Sequence, residues 1–66
     1  MKEPIIKWGR VRFNPPIGAY SERSQQYKNN RKIGIVSYVI SDSYVIVNFS
    51  IFNKCICNTD YCEAIR

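Results

Sequence analysis

The side chains with the most chemical capacity in this 66-residue chain are cationic and aromatic, and they gather in its first half. Trp8, Arg10 and Arg12 recur at every second position, and Arg23, Tyr27, Lys28, Arg31 and Lys32 follow. Guanidinium and ammonium groups neutralise phosphates, while an exposed indole or phenol ring offers a stacking face to unpaired bases. These eight residues form the candidate nucleic-acid or partner-binding set. A plainer explanation competes: Trp8 covers an open end of the core, the arginines lie over apolar surface, and the excess of cations serves solubility. No RNP, KH or helix-turn-helix signature is present, so the expected contact is with phosphate rather than with sequence.

Other chemistries are poorly provided for. The chain has no histidine, hence no Ser-His or Cys-His pair, and its five carboxylates are scattered. No nucleophile is activated and no acid–base pair is set up, so no catalytic residues are assigned and the protein is read as a non-enzyme. The glycines stand alone at 9, 18 and 34 and build no phosphate loop. Cys55, Cys57 and Cys62 are the only soft ligands. A structural zinc site takes four, and only Asp60 or a second chain would complete this one. Cysteine in a strand more often behaves as a small buried hydrophobe, so core thiols are expected, with no metal and no cofactor. Parallel side chains at 55 and 57 on one strand would not bridge each other.

A chain of 66 residues holds one domain, with a core close to the lower limit of size. With 45% hydrophobic and 23% charged residues its composition is that of a folded globule. Lys and Arg number ten against five Asp and Glu, a net charge of +5 and a pI near 9.4. Residues 1–32 carry eight cations against Glu3 and Glu22, a net +6, and the remainder is −1. Such a field favours nucleic acid or an acidic protein surface and gives no reason to expect a small-molecule substrate. Met1-Lys2-Glu3-Pro4 leads only to Ile5 and Ile6 before Lys7, which does not read as an export signal. The longest apolar stretch, Ile33 to Ile40, is far short of the ~20 residues a bilayer requires. Unpaired thiols add to an expectation of a cytoplasmic protein with no membrane contact.

The elements that must position the cations are strands. Val45, Val47, Phe49 and Ile51 share one parity, with Tyr44, Asn48 and Ser50 on the other, although Ile46 breaks the polar side. Lys32 to Ile40 precedes them across Ser41-Asp42-Ser43, and the two segments predict a β-hairpin. An earlier strand from Trp8 to Phe13 would turn Val11 and Phe13 inward and leave Trp8, Arg10 and Arg12 on the opposite face. Asn14-Pro15-Pro16 ends it. Lys54 to Asn58 fits a short fourth strand, and the tail reads as a 3₁₀ turn feeding a last strand at Ala64-Ile65. The eighteen residues 14–31 form a basic polar loop, in which Ser21 to Lys28 offers a short helix.

Gly34-Ile-Val36-Ser-Tyr-Val39, Tyr44-Val-Ile-Val-Asn-Phe49 and Asp60-Tyr-Cys-Glu63-Ala-Ile65, in that order, resemble the strands of small SH3-like barrels of the KOW and photosystem I types. The resemblance implies a single all-β domain over 1–66, a five-stranded, partly open barrel with a long first loop and a 3₁₀ turn before the last strand. It implies a centre filled by Val36, Val39, Val45, Val47, Phe49 and Ile65, with Gly34 at a bulge or close approach. Such barrels bind RNA, DNA, peptides or larger assemblies, so the fold alone chooses no function. The acidic loop and hairpin tryptophan of peptide-binding SH3 domains are missing, which argues against Pro-rich ligands.

The expectation is therefore a non-enzymatic basic module that contacts nucleic acid through the basic-aromatic surface. The alternative is a protein-interaction adaptor or inhibitor, of the kind phage and mobile elements encode, docking on a host protein or nucleic-acid-handling complex. Self-association through a strand edge is a third expectation.

Overall fold

The computed structural model describes residues 4–65. Five antiparallel strands, β1 (Arg10–Phe13), β2 (Ile33–Val39), β3 (Tyr44–Ser50), β4 (Asn53–Asn58) and β5 (Cys62–Ile65), form one open sheet in the order β4-β3-β2-β1-β5. A one-turn helix, α1 (Gln25–Lys28), lies in the long first loop, and a 3₁₀ turn over Thr59–Tyr61 leads directly into β5. The small all-β architecture thus takes the expected form. β1 starts at Arg10 rather than Trp8, and β5 is two residues longer than expected because Cys62 pairs with Phe13. The helix is shorter than Ser21 to Lys28. Ser24 caps it by accepting from the Tyr27 amide, and Asn29 ends it.

Alternation builds the core. Val36 faces Val47, which faces Cys55, and Val45 faces Cys57, so β2, β3 and β4 meet side chain to side chain on the inner face. Val11 and Phe13 of β1 and Cys62 of β5 complete the buried set. Phe49 and Tyr20 lie against Phe13 with ring centroids 6.2 and 5.9 Å away, and Tyr61 meets Tyr20 edge-on at 6.0 Å. Tyr20 comes from the long loop, which therefore roofs one side of the core.

Two register shifts correct the expected interior. The extra residue Ser37 shifts pairing between Val36 and Tyr38, and Phe49 does the same between Asn48 and Ser50. Phe49 is half-buried, and Ile51, expected inside, falls in the β3–β4 turn at 82% exposure beside Phe52 at 94%. Val39 keeps the inner side, opposite Val45, but stands at the rim and is 40% exposed. Ile65, also expected inside, pairs with the outward Arg10 and so lies on the outer side of the sheet, half-buried.

Gly34 is needed for space. A Cβ there would lie 2.5 Å from Val47 Cγ1, 2.7 Å from the Asn48 carbonyl oxygen and 3.0 Å from Phe49 Cδ1. The close approach anticipated from the sequence is what the residue serves.

The loop is held by amides. Asn29, fully buried, donates from Nδ2 to Asn53 Oδ1 (3.0 Å) and Cys55 Sγ (3.0 Å), and Asn53 Nδ2 returns a bond to Asn29 Oδ1 (2.7 Å). Gln25 Nε2 adds a 3.1 Å bond to Asn53 Oδ1. A buried amide leaves few of its donors unpaired in such a ring, which pins the helix to the start of β4.

All three thiols are free and buried, as expected for core cysteines. β4 and β5 lie at the two ends of the sheet order, yet Cys57 and Cys62 meet through a side-chain hydrogen bond across that seam. This bond, with burial, pushes the Cys57 thiol far above its ordinary 9.0, and burial also raises Cys55.

Two outcomes follow from this core. Gly34→Ala should cost about 2–3 kcal/mol in chemical denaturation, because the neighbours in contact include backbone that cannot move aside. The Cys55 and Cys57 thiols ionise near 9.0 when unfolded and higher when folded, so folding favours the protonated form. Their stabilisation is complete below that unfolded value and declines as pH climbs through it towards the raised folded value. Denaturation curves taken across that range should show the decline, and Cys57→Ala should lower the plateau while flattening the slope.

Candidate binding surface

Alternation along β1 sends Val11 and Phe13 inward and leaves Arg10 and Arg12 exposed on the outer face. Arg10 stands between Ile35 of β2 and Ile65 of β5 in the ladder, and Arg12 between Ile33 and Glu63. Glu63 is the cross-strand neighbour that offsets part of the Arg12 charge. Trp8 does not continue this row. It occupies a turn with φ +70°, outside the strand, so the expected stripe of Trp8, Arg10 and Arg12 reduces to the two arginines. The indole is 67% exposed, with Lys7 Nζ 5.2 Å from its ring centroid.

The backbone at Trp8 explains the break. Its amide donates to the Val36 carbonyl (2.6 Å), and the Val36 amide donates to the Gly9 carbonyl (2.9 Å). Two residues on one strand thus oppose one on the other, the first in the left-handed region: a G1-type bulge. The same pattern closes the far end of β1. The Arg31 amide donates to the Phe13 carbonyl (2.6 Å), the Phe13 amide donates to the Lys32 carbonyl (3.0 Å), and Arg31 has φ +66°. Glycine normally takes the first place of such a bulge, since other L-residues meet steric resistance there of roughly 1–2 kcal/mol. Here a tryptophan and an arginine take it.

The remaining set divides. Arg31 and Lys32 join Arg12 at the C-terminal end of β1. Tyr27 and Lys28 ride on α1, which packs on β4, three strands from β1 in the sheet order. Arg23 is exposed on a turn closed by its amide donating to Ser21 Oγ (3.3 Å). All eight candidate residues are exposed, and the structure gathers four of them, Arg10, Arg12, Arg31 and Lys32, along one strand pair.

Sequence reading missed a second exposed feature. Tyr38, Ile46 and Ile56 form a cross-strand row on the outer face, with Ile35 and Tyr44 beside it. Ile46 at the polar parity of β3 was its one visible sign. No family model matches the chain, and no match emerges among curated proteins or solved structures.

The bulge geometry sets a measurable expectation. Arg31→Gly removes a side chain from a left-handed position and should leave stability unchanged or raise it by up to about 1 kcal/mol in thermal or chemical unfolding. Arg31→Val, β-branched at the same φ, should destabilise.

Proposed function

We propose that this chain is a non-enzymatic binding module, built as an SH3-like barrel, that contacts the phosphates of nucleic acid through Arg10, Arg12, Arg31 and Lys32. Trp8 supplies a stacking face at the other end of β1. The strand order β4-β3-β2-β1-β5, with the 3₁₀ turn before the last strand, supports the barrel assignment.

The observation that carries the reading is the choice of residue at the two bulges. Left-handed non-glycine positions cost free energy and tend to persist where function retains them. Both occur at members of the basic-aromatic set, both are exposed, and they bracket the two outward arginines. At about 3.3 Å per residue the five steps from Trp8 to Phe13 separate them by roughly 17 Å, enough for several backbone contacts. A net charge of +5 supplies the long-range attraction.

Fluorescence anisotropy with a labelled single strand and a labelled duplex tests this. Affinity should fall steeply with salt, and the Arg10→Glu, Arg12→Glu double variant should bind at least tenfold more weakly at fixed ionic strength, with a shallower salt slope. Arg31→Gly should weaken binding without loss of stability. Unaltered affinity in the double variant rejects the surface.

A further inference from the structure

In a sheet with one face in water, outward positions are normally polar. β2, β3 and β4 instead carry apolar residues on both sides. Their inner face is filled by Val36, Val45, Val47, Cys55 and Cys57, yet the outward row Tyr38–Ile46–Ile56 crosses all three strands, with Tyr38 and Ile56 55% and 52% exposed. Ile35 and Tyr44 extend it along β2 and β3. Ile46, at the centre of the row, is half-buried, while Tyr38 and Ile56 on either side of it stand open. The one helix reaches β4 through Asn53 and the inward-facing Cys55, on the other side of the sheet. Contiguous exposed apolar surface of this kind marks an interaction site.

The margins say what fits. Arg10 borders the apolar residues beside Ile35, and Lys54, two residues before Ile56 on β4, borders them beside Asn48. A second copy packed on the same face would bring cations to both margins, so a partner with carboxylates there is favoured. A sheet face without its covering layer is suited to a helix. β3, seven residues long, measures about 23 Å, which a helix of about 15 residues spans.

We propose that the outer face of β2, β3 and β4 docks an amphipathic helix of a partner protein, its apolar stripe on Tyr38, Ile46 and Ile56 and its flanking carboxylates towards Arg10 and Lys54. This surface is separate from the phosphate contacts at Arg12, Arg31 and Lys32, with Arg10 on the boundary.

The full chain, isotope-labelled, is titrated with a synthetic amphipathic peptide of about 15 residues, leucines on one face and glutamates on its flanks. A control peptide carries lysines in place of the glutamates. The expected result is saturable shift changes confined to Ile35, Tyr38, Tyr44, Ile46, Ile56 and their strand neighbours, with the control at least tenfold weaker. Ile56→Lys, at an exposed position that keeps the native spectrum, should weaken the peptide at least tenfold and leave oligonucleotide affinity in place. The Arg12→Glu, Arg31→Glu variant should do the reverse, so the two readings fail separately. Equal binding of both peptides, absence of binding, or shifts elsewhere overturn the proposal. Concentration-dependent dimerisation that buries the same residues overturns it by assigning the face to a second copy, and an oligonucleotide shifting Tyr38, Ile46 and Ile56 overturns it by assigning the face to nucleic acid.

Discussion

The constraint on which the rest of this molecule depends is the absence of a side chain at position 34. Gly34 sits on β2 opposite Val11, at the inner parity it shares with Val36. The space a Cβ would need is taken by Val47, Phe49 and the Asn48 carbonyl. β3 can therefore lie close over β2, and Phe49 reaches Phe13 across it. In a core whose buried members are mostly valine and cysteine, Phe13 is the one large ring fully enclosed; Phe49 reaches it through that close approach, while Tyr20 comes from the long loop. Small cores have little reserve, so one misplaced methyl group there is felt throughout.

Surface and core are joined by polar devices rather than by more hydrophobic area. The Asn29–Asn53 amide pair fixes the long loop to β4, which in turn sets where the loop re-enters the sheet at Arg31 and Lys32. The cations beside Arg12 are thus placed by a buried hydrogen-bond ring several strands away. The Cys57–Cys62 contact plays a comparable part at the seam between the ends of the sheet, where side chains meet across strands that do not pair.

Much of this was legible in the residues, and the failures have physical causes. Strand parity placed Val11, Phe13, Val45 and Val47 inward, because period-two alternation survives wherever the ladder is regular, and the barrel resemblance added Val36. It failed at Ile51 because Phe49 is an extra residue in β3, and one inserted residue reverses the face of everything beyond it. It failed at Trp8 for the same reason, since spacing alone does not reveal a left-handed turn at a residue that is not glycine. Asn29 looked like any polar loop residue; its burial follows from a partner twenty-four positions away, a separation no local pattern encodes. The outer apolar row was half visible, in Ile46, but its membership required the register of three strands.

The two bulges also balance each other. The first places its extra residue in the strand of β1, at Trp8–Gly9 against Val36, and the second in the strand of β2, at Arg31–Lys32 against Phe13. From Trp8 to Phe13 and from Arg31 to Val36 the opposed segments are therefore equal in length, six residues each. Shortening or lengthening either strand by one residue would put one of its closures out of step with its partner. Length variation across natural or engineered variants should consequently be confined to the intervening loop, while these two six-residue segments change only by exchange of one residue type for another.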